Sequence, residues 1–199
     1  MTDSTLFGLM RHATTVWNQE RRIQGQADSP LASGAQAEIS RWAAALAGHG
    51  WQGVLTSDLG RARATALGLA DQLGLPVLVD GRLREQDWGT WTGCRLADLD
   101  RQAVAAQEAA GWGFRPPGGE DRGQVWERSR QALLAAAAAR PGGRILVVAH
   151  EGVVKCLVYR LTGHDFVAGR PSPLAPRHLH LLTATAGQLA VTRVNAQPL

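Results

Sequence analysis

Leu6-Phe7-Gly8-Leu9-Met10 runs without a polar interruption into Arg11-His12, and Ile145-Leu146-Val147-Val148-Ala149 runs in the same way into His150-Glu151-Gly152. Near-continuous aliphatic runs of this length suit strands buried on both faces of a parallel sheet. Two shorter runs have the same form: Gly53-Val54-Leu55 before Thr56-Ser57-Asp58, and Pro76-Val77-Leu78-Val79 before Asp80. Helical patterns lie between them. One covers about 33–47, with Gly48 and Gly50 as stops. A second covers 58–73, with Asp58 as its N-cap and Gly74 as its close. Others cover roughly 96–110, 121–139 and 152–162. His178–Thr183 and Gln188–Val194 alternate around Ala186-Gly187 like a hairpin. Strands alternating with helices predict an α/β fold, a three-layer α/β/α sandwich with a mostly parallel central sheet, as one domain over 1–199. Ligands of such sheets bind beyond the carboxyl ends of the strands. Arg11-His12, Ser57-Asp58 and His150 are therefore expected to share one sheet edge.

Composition narrows the class without naming it. The 199 residues are 45% hydrophobic and 19% charged, which suits a packed core rather than a disordered chain. The formal net charge is +4 with no Lys/Arg-rich run, so nothing points to nucleic acid. Arginine supplies nearly all the positive charge and Lys155 is the only lysine. That bias matches both a GC-rich genome and the bidentate binding of oxyanions. Two cysteines, Cys94 and Cys156, form neither a disulfide framework nor a metal spacing, which predicts a reduced, cytoplasmic protein. The opening MTDSTLFGLMRHA has no basic n-region followed by a long apolar stretch, and no segment is long enough to span a bilayer, so no membrane role is expected.

The chemistry centres on Met10-Arg11-His12-Ala13-Thr14-Thr15-Val16-Trp17-Asn18. A histidine after an arginine at a strand end can offer a ring nitrogen to an anion while the guanidinium neutralises charge beside it. Taken alone, the pair is more simply a strand ending in two solvated residues. The rest of the chain changes that reading. Asn18, Gln24-Gly25-Gln26-Ala27-Asp28-Ser29-Pro30-Leu31 and Gly34 continue the pattern. Ser57-Asp58-Leu59-Gly60-Arg61-Ala62-Arg63-Ala64-Thr65-Ala66, Leu83-Arg84-Glu85 with Gly89 and Gly93, Pro116-Pro117-Gly118-Gly119-Glu120 and Val147–Gly152 then follow in order. This ordered set, over about residues 6–155, resembles the histidine phosphatase superfamily, the phosphoglycerate mutase-like enzymes.

The resemblance implies a fold of that type and a phosphohistidine intermediate. It makes His12 the nucleophile, places Arg11, Arg61 and His150 around the phosphoryl group, and makes Glu85 the proton donor. Asn18, Gln24, Glu151 and Gly152 are expected substrate contacts. Phosphoryl transfer spreads negative charge over equatorial oxygens, so fixed cationic donors supply most of its catalysis. A neutral histidine can attack, and a carboxylic acid can protonate a poor alkoxide leaving group. Neither a metal nor a cofactor is required. The expected activity is hydrolysis of a small phosphorylated metabolite with release of inorganic phosphate. Alternatives are a cofactor-dependent phosphoglycerate mutase, an α-ribazole phosphate phosphatase of cobamide synthesis, and a non-enzymatic phosphoryl-ligand binding domain. Gln26 where mutases commonly carry Trp, and Gln86-Asp87-Trp88-Gly89 where they commonly carry Arg-His-Tyr-Gly, favour the hydrolase. A homodimer is left open.

Two positions depart from the family pattern. Ala13 follows the first histidine where glycine is usual, and Glu151 follows the second where glycine is frequent. Ala13 is expected to be harmless, and Glu151 to point away and favour the start of the following helix. Arg61 rather than Arg63 is expected in the pocket, since the two lie on different helix faces. His178 and His180 share a strand face but lack a third ligand, so no metal site is expected. Trp17, Trp88, Trp91 and Trp112 are read as cavity lining or partial core. Trp112–Pro117, within a segment of about 96–120, is read as a lid.

Overall fold

The computed structural model describes residues 4–199; residues 1–3, part of the stretch read against a leader, lie outside the described residues. A six-stranded sheet has the order β3-β2-β4-β1-β5-β6. The strands are β1 (Thr5–Arg11), β2 (Gly53–Thr56), β3 (Val77–Val79), β4 (Arg144–Ala149), β5 (His178–Thr185) and β6 (Gln188–Pro198). The first four pair in parallel, and β5 and β6 add an antiparallel edge. The period-2 alternation of β1 and β4 divides the core. Phe7, Leu9, Ile145 and Val147 face a cluster under α5 (Arg122–Ala139) and α6 (Glu151–Thr162). Met10, Leu146 and Val148 face a second cluster under α2 (Ala35–Leu46) and α3 (Gly60–Leu73). Sheet and flanking helices make the expected three-layer α/β/α sandwich. Among the described residues no helix is long and apolar enough to cross a membrane.

Register explains the gathering of polar residues. Arg11 lies opposite Ala149 and Thr56 opposite Val148, so β1, β2 and β4 end at one level and release Arg11-His12, Ser57 and His150 together. The hairpin turn is the expected Ala186-Gly187, both with positive φ, as a two-residue turn between antiparallel strands requires.

Three expectations are corrected. Asp58 does not cap α3: its carboxylate pairs with Arg84, while Asp28 accepts the Gly60 amide at 2.8 Å. The helix expected over 96–110 is split into a 3₁₀ turn at Leu96–Asp98 and α4 (Arg101–Ala109), because Asp100 accepts the Ala103 amide and restarts the helix. The run Val77–Val79 is not buried on both faces. It forms the sheet edge, with Leu78 57% and Val79 50% exposed.

Candidate active site

At the carboxyl edge of the sheet the imidazoles of His12 and His150 lie 5.2 Å apart between ring centroids. His12 Nδ1 is 2.7 Å from the Ala13 carbonyl oxygen. A carbonyl can only accept, so this bond places the proton on Nδ1 and leaves a lone pair on Nε2. Arg61 Nε donates to that Nε2 at 3.2 Å. Burial, then the charges of Arg11 and Arg61, hold the His12 pKa well below its ordinary value. His12 is thus a neutral, oriented base whose one lone pair accepts from Arg61.

Arg61 is 2% exposed. It leaves the first turn of α3 and donates to the carbonyls of Gly25 and Ala27, both at 2.7 Å, and to Asp28 at 3.2 Å. The loop that carries Gln24-Gly25-Gln26-Ala27-Asp28 therefore aims the guanidinium at His12, and Asp28 also caps the helix from which it springs. A buried guanidinium held by two carbonyls and a carboxylate is fixed before any ligand arrives. Arg63 is exposed, as the helical spacing predicts.

His150 is fully buried. Its Nε2 bonds Ser57 Oγ at 2.7 Å, whereas its Nδ1 is buried without a partner. An unsatisfied buried polar atom is costly. The ring that carries it lies 5.2 Å from that of His12, centroid to centroid. Burial, reinforced by His12 and the arginines, holds this ring well below its usual pKa.

Glu85 is partly buried. Its carboxylate accepts the amides of Gln86 at 2.8 Å and Gly152 at 3.2 Å. Burial raises its pKa, opposed by those two amides and then by Arg61 and Arg11. Its backbone is clamped by Arg128, which donates to the carbonyls of Arg82, Arg84 and Glu85 and pairs with Glu120. The Pro116–Glu120 segment is thus structural support. Gly89, at φ +49, packs so tightly that a Cβ there would lie 2.2 Å from the Pro117 carbonyl oxygen.

A cavity of about 480 Å³ opens from Arg11 and His12 toward β5. Asn18 and Glu151 are on its wall; Gln24, Arg61, Glu85, His150 and Gly152 are not. Asn18 also accepts the Thr15 amide in a capping box. Gln24 is buried with Oε1 unpartnered. Gly152 supports Glu85, since a Cβ there would meet Glu85 Oε1 at 2.3 Å. Ala13 fits: it is buried, and its amide donates to Thr65 Oγ1.

Glu151 does not point away from the site. Its carboxylate turns into the cavity and accepts Arg11 at 2.7 Å and Lys155 at 2.6 Å, because two cations stand within reach on its own side. None of Trp17, Trp88, Trp91 and Trp112 lines this cavity; Trp42 does. Trp88, Trp91 and Phe114 pack on one another instead. Nor does the segment 96–120 reach it: residues 172–178 form that wall. Both His178 and His180 line the cavity, and among the described residues no group of three or more His, Cys, Asp or Glu could hold a metal ion. Sequence reading assigned no role to Ser57 or Asp28, although both sit in the quoted motifs. Arg128, Glu38, Trp42 and Arg177 carried no signal.

The chain is 38% identical over 171 residues to probable phosphoglycerate mutase GpmB of Cronobacter sakazakii, covering 81% of this chain and 77% of that protein. Its fold matches a mycobacterial glucosyl-3-phosphoglycerate phosphatase solved with VO3, at TM-score 0.83 and 28% identity, over 98% of this chain and 100% of that one. It also matches Bacillus stearothermophilus YhfR, at TM-score 0.82 and 27% identity, over 95% and 96%. The family profile described as histidine phosphatase superfamily (branch 1) matches residues 7–197. With paired histidines and buried Arg61 at the sheet edge and a family match across nearly its whole length, the chain belongs to branch 1 of the histidine phosphatase superfamily.

Proposed function

We propose that this protein hydrolyses a small phosphomonoester through a phosphohistidine on His12, without a metal. The observation that carries the reading is the fixed tautomer of His12. Nδ1 is committed to Ala13, so Nε2 alone is free to attack phosphorus once a phosphoryl oxygen takes over the Arg61 bond. Arg11, Arg61 and His150 Nδ1–H then donate to the equatorial oxygens, and Asn18 and Gln24 complete the contacts. The leaving oxygen departs with a proton from Glu85. Water next attacks the phosphohistidine, giving a proton back to Glu85 and releasing inorganic phosphate. The raised pKa of Glu85 suits it to both steps.

A second reading is a cofactor-dependent phosphoglycerate mutase, and the name borne by the curated relative favours it over the hydrolase. Gln26 and Gln86-Asp87-Trp88 stand against it. One experiment separates the readings. With chelator present, a panel including 3-phosphoglycerate, α-ribazole phosphate and alkyl and sugar phosphates is assayed for phosphate release and for isomerisation. The hydrolase reading expects phosphate release that disappears in His12→Ala. Isomerisation of 3-phosphoglycerate faster than its hydrolysis would establish the mutase instead. Chelator-sensitive turnover would overturn the metal-free mechanism.

A further inference from the structure

Glu151 occupies a position with an unusual charge environment. Its half-exposed carboxylate is shared between Arg11, which belongs to the phosphoryl pocket, and Lys155, one helical turn further along α6. Partial burial pushes this carboxyl up, but Arg11 and Lys155 outweigh that and leave it below the usual range, so it is an anion. The amide of the next residue, Gly152, holds Glu85. The charge therefore sits in the cavity beside Arg11 and His12, one residue from the amide that holds the proton donor. Across the cavity Arg177 is matched by Glu38 at 3.0 Å. Much of the remaining wall is apolar, with Trp42, Val154, Leu174 and Leu199. When a phosphoryl group engages Arg11, Glu151 and Lys155 remain as a neutral pair, and so do Glu38 and Arg177.

We infer that Glu151 sets the substrate class: it keeps the leaving-group cavity electrically balanced and selects monoesters of uncharged alcohols over those carrying a carboxylate or a second phosphate. This rests on the hydrolase reading and deepens it. A carboxylate on the leaving group would meet Glu151 in a cavity whose cations are already matched. At a separation of about 6 Å and an effective dielectric constant of about 40, that repulsion weakens binding about tenfold.

The probe pair is 3-phosphoglycerate and glycerol 3-phosphate, which differ by a carboxylate against a hydroxymethyl group. Their affinities are measured by titration calorimetry in the His12→Ala protein, which cannot turn them over. Glycerol 3-phosphate should bind more tightly. Adding Glu151→Gln should move the affinity ratio about five- to tenfold toward 3-phosphoglycerate, and adding Lys155→Gln should move it the opposite way. Tighter binding of 3-phosphoglycerate to the parent, a ratio unchanged in both variants, or no binding of either ligand would overturn the assignment. Turnover of glycerol 3-phosphate by the His12 protein is read separately. Its absence would sink the hydrolase reading, while the ratio would still report on Glu151.

Discussion

His12, Arg61 and His150 are at most 5% exposed and are held by backbone carbonyls and polar side chains, whereas Arg11, Glu151, Lys155 and Arg177 have side chains 30–61% exposed and are held largely by ion pairs with one another and with Glu38 on the cavity wall. The first group is fixed by the Ala13, Gly25 and Ala27 carbonyls, the Asp28 carboxylate and the Ser57 hydroxyl. The second consists of ion pairs in partial contact with water, each worth little to stability. A phosphoryl group is the same in every monoester, so its binding site gains from rigidity. The leaving group is what distinguishes substrates, and its surroundings are built from contacts that a single substitution can rewrite at low cost to the fold.

The comparison breaks most sharply at His12. His12→Ala should lose at least about 10⁴-fold in kcat with little change in thermal midpoint, and acid quench of the native enzyme during turnover should trap an acid-labile phosphoprotein that the variant lacks. Survival of activity would remove the rigid half of the site from catalysis. Next comes the proton donor. Glu85→Gln should slow alkyl esters about 10²-fold while sparing aryl esters with good leaving groups. Gly152→Ala should reproduce that pattern, since its Cβ would displace Glu85 Oε1. Equal losses on both ester types would contradict the role of Glu85.

The buried group also has a pH signature. His12 and His150 are held well below 6.5 and His180 at about 4, all by burial first. Below pH 6.5 the unfolded chain binds protons that the fold refuses, so stability must fall as pH falls. The slope is up to about 1.4 kcal/mol per pH unit for each histidine. Glu85 has the opposite sign, because its raised pKa favours the fold in acid, but it is one group against three. Urea midpoints that rose from pH 7 to pH 5 would show that these rings are not buried neutral. The smallest effect belongs to the exposed half. Arg177→Ala should change stability by less than about 1 kcal/mol and KM by a few-fold, measured by urea melts and steady-state kinetics.

Much of this was legible in the chain itself. The aliphatic runs at Leu6–Met10 and Ile145–Ala149 fix two central strands, because burial of both faces leaves no alternation to misread. Their polar endings locate Arg11, His12 and His150, and motif order supplies Arg61 and Glu85. Val77–Val79 misled because an apolar run cannot report whether a second strand lies beside it. Asp58 misled because a cap is a local pattern that a nearby Arg84 can take away, leaving a distant Asp28 to do the work.

Local periodicity and motif order are enough to place the strands, their ends and the residue types that phosphoryl transfer needs. Which atoms of those groups are tied up, and by what, depends on contacts that only folding makes. The Ala13 carbonyl on His12 Nδ1, Ser57 on His150, the Gly25–Asp28 loop around Arg61 and the Arg128 clamp behind Glu85 all join residues from separate segments or depend on backbone direction. The same holds for Glu151. Its identity was visible in the sequence, but its direction was set by the cations that folding placed around it.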